Sequence, residues 1–310
     1  MSSLSDMSDP VTTFGLCRPR LLGLAYRMLG SMADAEDAVQ ETYVRWHRTD
    51  RDAVLEPRAF LMTTTTRICL DMLTSARARR EEYIGPWLPE PVVDTVPLAP
   101  DSRTELAEDL SISLLLTLDR LSPLERAAFL LHDVFDFSFN EVASALERNE
   151  AACRQLAARA RKHVRASRPR GVAAPPAQPG EINPKHARLI SAFAAAIQSG
   201  DLRALTQLLA RDARVVTDGG GKMKTGQHDI NGADHVARFL VAGARKREGA
   251  VWREDVTMRF ATINGMPGII VDGPERPVQT AAFEIEGDAI RALYVVVNPD
   301  KLRHLAPARQ

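Results

Sequence analysis

The chain has 310 residues, more than one ordinary hydrophobic core holds, so its length predicts two or three domains. A hydrophobic fraction of 45% and a charged fraction of 26% are typical of a soluble globular protein. No apolar run approaches the ~20 residues of a membrane span. The Ser/Asp-rich segment Met1–Pro10 lacks the basic-then-apolar order of a signal peptide. We therefore expect a cytoplasmic protein that does not bind a membrane.

Acidic and basic residues balance at 40 each, but they are unevenly distributed. The stretch Asp34–Glu41 is acidic and contains no base, whereas Arg154–Arg170 holds seven Lys/Arg residues and no acid. This segregation fits faces with different partners, and it equally fits solvated helix faces. Cys17, Cys69 and Cys153 form no CxxC pair, so no zinc site, disulfide or cofactor is predicted, and we expect all three to be packing residues.

Two proline-rich stretches predict extended linkers, because proline removes an amide donor and disfavours helix in the residue before it. They cover residues 85–104 and 168–182. The linkers divide the chain into three predicted domains at residues 10–84, 105–167 and 183–305.

The first domain is predicted to be helical, because its apolar residues recur at helical spacing. Gly30 ends a first helix and Ser31 caps a second, while Pro57 starts a third. Four consecutive threonines, Thr63–Thr66, lie inside the third helix. Threonine is a poor helix former, so tertiary contacts are expected to override its preference there.

The second domain is also predicted to be helical. Ser122 and Ser138 are each followed three residues later by a glutamate, which is the pattern of a capping box. A short helix follows Ser138, and Asn149 then caps a basic helix. Two short helices around a tight turn predict a helix-turn-helix.

The third domain begins with helices, from about Pro184 to Gln198 and from Leu202 to Leu209. Alternating apolar residues then predict strands, with Asn264-Gly265 as a hairpin turn. The predicted strands are Arg214–Thr217, Val256–Ile263, Gly268–Val271, Val278–Ile285 and Ile290–Val297. Helices followed by an antiparallel meander indicate an α+β domain.

On a helix, Asp34, Asp37 and Glu41 share one face, with Gln40 beside them. Such a ridge fits a basic or amide-rich partner, and it also fits a solvated face. The stretch Asp34–Thr42 resembles the segment by which extracytoplasmic-function sigma factors grip the β′ clamp helices of core RNA polymerase. The resemblance implies that these four residues bind polymerase.

Further matches in the same order extend the resemblance over about the first 167 residues. Pro57–Leu61 and Arg67–Leu73 resemble the helix that opens and reads the −10 promoter element, and Phe139–Arg161 resembles the helix-turn-helix that reads the −35 element. The −10 contacts that the resemblance implies are Arg58, Thr66, Arg67, Asp71, Arg77 and Arg80.

Three positions depart from the family pattern. Glu147 stands where the turn usually has glycine, and Asn149 stands where it has serine, although asparagine caps as well. Arg67 stands where the family often has an asparagine that faces the flipped −10 base, which leaves the −10 preference open. The threonines beside Arg67 fit either DNA contact or a structural role.

The −35 contacts follow from the geometry of the recognition helix. With Cys153, Leu156 and Ala160 toward the core, the start of the helix presents another face to the major groove. That face carries Ala151, Arg154, Gln155 and Ala158. Arg161 and Lys162 come later and suit DNA phosphates.

Three more segments resemble a SigJ-like subgroup of these sigma factors, which carries a fused SnoaL-like domain. The interdomain or regulatory residues that this resemblance implies are Trp87, Leu88, Pro89, Asp218, Gly219, Gly220, Gly221, Lys222, Asn298, Pro299, Asp300, Lys301 and Leu302. The glycine loop is not a phosphate loop, because Val216 and Met223 stand where that motif needs Gly and Ser/Thr.

The resemblance implies a multidomain fold, with two all-α sigma domains followed by an α+β SnoaL-like (cystatin/NTF2-like) domain with a curved antiparallel sheet. The implied partners are core RNA polymerase, the −35 duplex and the melted −10 strand. The C-terminal domain would modulate activity in place of a separate anti-sigma factor, and no catalytic centre is expected.

Two alternatives stay open at this point. One is a one-component regulator that binds an operator without polymerase. The other is a SnoaL-like pocket enzyme, a cyclase or isomerase, tethered to a DNA-binding module. Such enzymes use a pocket carboxylate or histidine, and the polar candidates are His228, Asp229, Asp234 and His235. Capping and solvent exposure explain these four residues equally well, and an unknown small ligand in the pocket is also left open.

Overall fold

A computed structural model describes residues 10–50, 53–81, 83–93, 110–167, 183–246 and 255–305. The chain forms two compact units. The first contains Met1–Glu81 and Pro97–Arg168, and the second contains Glu82–Val96 and Pro169–Gln310. The linker at 168–182 and the later part of the linker at 85–104 lie outside the described residues. Over the described ranges, no helix has the length and apolar character to cross a bilayer.

The first unit is helical, as the sequence predicts. Its α-helices are α1 (Pro10–Leu29), α2 (Met32–Arg48), α3 (Pro57–Glu81), α4 (Ile112–Asp119), α5 (Pro123–Phe129), α6 (Phe139–Leu146) and α7 (Glu150–Ser167). A short π-helix, Leu130–Val134, continues α5.

The predicted helix starts are confirmed by their hydrogen bonds. Ser31 caps α2 by accepting from the amide of Asp34 at 3.1 Å. Ser122 and Ser138 each form a complete capping box with the glutamate three residues on. Asn149 caps α7 by accepting from the amide of Ala152 at 2.8 Å. These local bonds satisfy amides that have no partner within the helix.

The threonine run in α3 is helical because two of its hydroxyls bond within the fold. Thr65 and Thr66 are buried and donate to the carbonyls of Leu61 and Met62, at 2.9 and 2.8 Å. The Thr65 hydroxyl also lies 3.0 Å from that of Thr42 on α2. The tertiary contact expected to offset the poor helix preference of threonine is therefore a hydrogen bond between α2 and α3.

The second unit combines helices with a six-stranded sheet. Its α-helices are α8 (Pro184–Ser199), α9 (Leu202–Leu208) and α10 (Ala233–Arg245), and its strands are β1 (Leu209–Asp218), β2 (Ile230–Asn231), β3 (Thr257–Ile263), β4 (Met266–Asp272), β5 (Pro277–Glu286) and β6 (Ala289–Val296). A 3-10 helix, Pro299–Leu302, follows β6.

The sheet has the strand order β2-β1-β6-β5-β4-β3. Strands β3 to β6 form the predicted antiparallel meander, and Asn264-Gly265 makes the predicted turn, with Ile263 paired to Met266. Strand β1 pairs parallel with β6, so the sheet is mixed. Leu209 begins β1 instead of ending α9, and the two-residue strand β2 is too short to give a periodic signal.

One face of the sheet packs against the three helices. The core there includes Phe193 of α8, Val236 of α10, and Ala213 and Val215 of β1. The ring of Phe193 meets that of Phe283 edge-on, with 5.6 Å between centroids. Because side chains alternate along a strand, Asp218 lies on the other face of β1, away from this core.

The segment 83–93 is built into the second unit as part of its fold. Val93 forms an antiparallel bridge with Ile263. The amide of Asn264 donates to the carbonyl of Val92 at 2.7 Å, and the Asn264 side chain accepts from the amide of Val92 at 3.1 Å. Leu88 is 0% exposed. The tryptophan-containing segment that the sequence sets between the first two domains is therefore held by the third.

We predict that Leu88→Ala lowers the free energy of unfolding of the second unit by about 2–5 kcal/mol, since it leaves a cavity at a fully buried position. The measurement is hydrogen exchange of the β1 and β6 amides in the full chain. Leu55→Ala is the matched control, because Leu55 is 92% exposed. Equal protection in the two variants would contradict the docking of this segment.

Candidate functional surfaces

The acidic ridge is an exposed face of α2. Asp37, Gln40 and Glu41 are exposed, Asp34 is half-buried, and the opposite face of the helix packs inward. Glu41 pairs with Arg45 at 3.0 Å, but both side chains are about half exposed, so the pair leaves the carboxylate accessible to a partner. The face can therefore present three carboxylates to a basic surface.

Asp34 also affects the pKa of a buried thiol. Burial, and then the charge of Asp34, raise the pKa of the Cys69 thiol well above its ordinary value. This keeps Cys69 protonated and chemically quiet. Cys17 and Cys153 are buried as well, and none of the three forms a disulfide.

The predicted −10 residues fall into three groups. Arg58 and Asp71 are exposed on α3. Thr66 is buried with its hydroxyl bonded to its own helix, so it is not accessible to DNA in this structure. Arg67 is engaged by the end of α6. Arg77 and Arg80 belong to the part of α3 whose side chains lie outside the described residues.

The recognition helix α7 has the predicted orientation within its own unit. Cys153 and Ala160 are fully buried and Leu156 is 9% exposed. The exposed face carries Ala151, Arg154, Gln155 and Ala158. This face is free of bulky apolar side chains and can approach base edges in a major groove.

The basic residues of α7 differ in whether they form ion pairs within the chain. Arg154 pairs with Glu150 at 2.5 Å and lies over the ring of Phe139, with 5.2 Å to its centroid. Arg161 is half-buried and pairs with Asp133 at 2.6 Å. Lys162 is exposed. Arg161 therefore needs to leave an internal ion pair before it can contact a phosphate, whereas Lys162 does not.

Three arginines join the helices of residues 10–81 to those of residues 110–167, and each donates to carbonyls where a helix ends. Arg20 donates to the carbonyl of Phe135 at 2.6 Å, and Arg126 donates to that of Met28. Arg67 donates to Ala145 and Ser144. The last carbonyls of a helix lack partners within it, so a guanidinium suits them. We call these contacts the helix-end junction.

Arg126 is the most enclosed member of the helix-end junction. It also pairs with Asp119 at 3.1 Å, and burial lowers its pKa to about 10. The guanidinium is therefore still charged at neutral pH. Sequence reasoning missed Arg20 and Arg126, because nothing local distinguishes an arginine that caps a distant helix from a solvated one.

In the second unit, the three segments of the subgroup resemblance converge on the Asp218 carboxylate, which is 0% exposed. One oxygen accepts from the Tyr83 hydroxyl at 2.5 Å and the Gly220 amide at 3.1 Å. The other accepts from the Leu88 amide at 2.8 Å and Lys301 Nζ at 2.7 Å. A buried charge with four such partners is well compensated.

Lys301 completes the arrangement from the C-terminal side. Its ammonium also donates to the carbonyl of Leu88 and lies 4.4 Å from the centroid of the Trp87 ring and 4.9 Å from that of Tyr83. Asn298 donates to the Tyr83 hydroxyl at 2.8 Å. We call the set Tyr83, Leu88, Asp218, Asn298 and Lys301 the Asp218 clasp.

The acidity of the groups in and beside the clasp fits their roles. Burial and the adjacent Asp218 carboxylate raise the pKa of Tyr83 well above its ordinary value, so the phenol stays a donor. The hydrogen bond from Lys222 lowers the pKa of Asp300, which keeps this exposed contact between glycine loop and tail ionised.

The glycine loop is shaped to let these segments approach each other. Gly220 has φ +59, and a Cβ there would stand 2.2 Å from Asn298 Nδ2. A Cβ on Gly219 would stand 2.5 Å from the carbonyl oxygen of Met223. A side chain at either position would push the loop away from the clasp, which gives the glycines a packing role.

The remaining residues predicted to be interdomain or regulatory lie in the segments that form the Asp218 clasp. Pro89 is buried, and Leu302 is 1% exposed. Pro299 is the first residue of the 3-10 helix that Asn298 caps. Gly221 has φ +70, and a Cβ on it would lie 3.0 Å from Ile84.

The polar candidates for a catalytic pocket do not converge on one point. His228, Asp229, Asp234 and His235 are all exposed, and His235 Nδ1 lies 3.1 Å from the carbonyl oxygen of Asn231. Across the described ranges, no group of three or more His, Cys, Asp or Glu is arranged to hold a metal ion.

A different polar cluster is buried in the sheet. Tyr294 donates to Glu284 at 2.9 Å and accepts from Arg214. Burial and the Glu284 charge raise the pKa of Tyr294 well above its ordinary value. The three groups satisfy one another and link strands β1, β5 and β6. Sequence reasoning missed this cluster, because the pairings of β1, β5 and β6 bring these residues together.

The chain is similar to known protein families in both of its helical parts. Residues 14–79 match the family model for Sigma-70 region 2, and residues 111–164 match that for Sigma-70, region 4. The chain is 38% identical over 304 residues to the ECF RNA polymerase sigma factor SigJ of Mycobacterium tuberculosis, covering 94% of this chain and 92% of that protein.

A second relative and a crystal structure extend the match over nearly the whole chain. The probable ECF RNA polymerase sigma factor SigI of the same species is 30% identical over 299 residues, covering 95% of each chain. The crystal structure of Mycobacterium tuberculosis SigJ superposes with a TM-score of 0.72 at 35% identity, covering 94% of this chain and 97% of that chain.

The fold class is therefore two helical sigma domains followed by a C-terminal α+β domain with a mixed sheet. Sigma regions 2 and 4 imply RNA polymerase core and promoter DNA as partners. The chain belongs to the extracytoplasmic-function sigma factors, which direct RNA polymerase to promoters for the initiation of transcription.

Proposed function

We propose that the chain binds core polymerase through α2, reads the −10 strand with α3 and the −35 duplex with α7, and is regulated by its own C-terminal unit. Its contribution is binding and not catalysis, and it acts in the cytoplasm. The observation that carries the regulatory part is the Asp218 clasp, which holds the segment between the two sigma regions.

The polymerase contact rests on charge and exposure. Asp37, Gln40 and Glu41 form an accessible acidic and amide face on a helix whose other side is packed. The family resemblance directs this face to the β′ clamp helices. Complementary charge across such an interface favours binding and fixes its register.

The promoter contacts rest on the exposed faces of α3 and α7. Arg154 stands near the start of α7, where a recognition helix reaches base edges, and Lys162 stands two turns later, where phosphates are closer. Arg58 and Asp71 are the accessible candidates on α3 for the melted −10 strand. These assignments predict different consequences for the two basic residues of α7.

The regulatory proposal follows from where the connector lies. Residues 82–111 join α3 to α4, and the described part of this connector, 83–93, belongs to the C-terminal unit. A tether of about fifteen residues after α7 keeps that unit at roughly millimolar effective concentration, so modest contacts suffice. The C-terminal unit thereby sets the path of the chain between the −10 and −35 modules, the role that a separate anti-sigma factor would otherwise take.

We predict that Asp37→Arg with Glu41→Arg abolishes binding to core polymerase, because like charges brought together at an interface cost several kcal/mol. The measurement is co-purification with core polymerase. The control is Glu56→Arg with Glu275→Arg, which changes the net charge equally at exposed positions away from α2. Polymerase binding that survives in the first variant would contradict the assignment of α2.

We predict that Arg154→Ala costs about 1–3 kcal/mol at the −35 element and relaxes base preference there. Lys162→Ala should instead weaken binding evenly across sequences and reduce its dependence on salt. Both are measured as holoenzyme affinity on a panel of −35 variants at two salt concentrations. If the two substitutions behave alike, the placement of α7 in the groove is wrong.

A further inference from the structure

In the helix-end junction, Arg67 contacts the end of α6 through its whole guanidinium. All three nitrogens of the Arg67 guanidinium face the end of α6. Nε donates to the carbonyl of Ala145 at 3.0 Å, and Nη2 donates to that of Ser144 at 2.8 Å. Nη1 lies 3.3 Å from Oε1 of Glu147. The planar fork of arginine suits such a set of acceptors, and lysine could not replace it.

Glu147 occupies a backbone position that favours glycine. It is the residue after α6 and has φ 54 and ψ 46, in the left-handed region. A side chain in that region is strained, and helices usually end there with glycine. The carboxylate that the strained residue carries is the one that meets Arg67. Glu147 therefore adds an ion pair to this helix end that glycine would not provide.

The contact cannot persist when both promoter elements are read. Their names place the −35 and −10 elements about 25 base pairs apart, which is about 85 Å of duplex at about 3.4 Å per pair. Arg67 touches Ala145, and Ala151 at the start of the recognition face follows six residues later, at most about 20 Å of chain. Reading both elements thus requires α3 and α6 to separate.

The contact between Arg67 and Glu147 lies at an exposed position, from which it can be released. The side chains of Arg67 and Glu147 are 43% and 72% exposed, so water and DNA reach them without unpacking a core. The Arg126 contact of the same junction is buried, whereas the two hydrogen bonds of Arg67 are part-buried and exposed. Arg67 is also a predicted −10 contact, so the −10 strand and the end of α6 compete for one guanidinium.

We propose that Arg67 and Glu147 form a latch that holds region 2 against the helix-turn-helix in the DNA-free chain and that must open before both promoter elements are read. The latch rests on the proposed assignment of α3 and α7 to the two promoter elements. It deepens that assignment by making one residue serve both the closed state and DNA binding.

The test measures the separation of the two modules in the full chain, without DNA or polymerase. Spin labels are placed at Leu55→Cys and His163→Cys, both exposed, while the native cysteines are buried. Pulsed electron paramagnetic resonance then gives the fraction of molecules with the modules apart. Glu147→Gly should raise that fraction about two- to fivefold, the range for one exposed ion pair.

Two further variants separate the latch from other effects. Glu147→Gln keeps the left-handed backbone position and removes only the charge, so it should also raise the open fraction. Arg67→Glu should open the chain, and adding Glu147→Arg should return part of the closed population.

An open fraction in Glu147→Gly equal to that of the native chain would overturn the latch, as would an unchanged open fraction in Glu147→Gln. Neither result bears on promoter recognition, because no DNA is present. Conversely, a native chain that fails to support promoter-directed transcription would remove the proposed function and leave the distance result standing.

Discussion

The buried carboxylate of Asp218 is the constraint on which the C-terminal unit depends. A charge with no exposed surface is stable only when its oxygens are fully bonded. Its partners come from the connector after α3, from the glycine loop and from the 3-10 helix after β6. Losing any one of these segments leaves a buried charge undercompensated, so the three stay together. This requirement makes the connector between the sigma regions part of the C-terminal fold.

In the first unit, arginine side chains connect the helices of residues 10–81 to those of residues 110–167. Arginines on each set of helices donate to carbonyls at the ends of the other set, which satisfies groups that the helices leave open. Arg67 and Arg126 also pair with Glu147 and Asp119, so carbonyl and carboxylate oxygens together accept from these guanidinium groups. The clasp lies within the second unit, and the junction lies within the first.

Local features of the fold were predictable from the sequence, and long-range pairings were not. Ser31, Ser138 and Asn149 act within four residues of themselves, so their capping roles follow from spacing alone. The exposed faces of α2 and α7 follow from periodicity for the same reason. The parallel pairing of β1 with β6 joins residues about eighty positions apart, and no local pattern encodes it. The engagement of Arg67 is likewise invisible locally, although the two departures at positions 67 and 147 turn out to be partners.

In the proposed function, the C-terminal unit acts on transcription through its hold on the connector. The most direct test is run-off transcription from one promoter by three proteins: the full chain, a chain ending after residue 167, and the double variant Asp218→Asn with Lys301→Met. An asparagine amide has one acceptor oxygen where the carboxylate has two, so the amide of Leu88 or that of Gly220 loses its acceptor, and Lys301→Met removes the donor to the Leu88 carbonyl. The double variant therefore weakens the clasp, and it should shift the transcription rate in the same direction as the truncation, with core binding unchanged. A double variant that transcribes like the full chain, beside a truncation that does not, would contradict this role of the C-terminal unit.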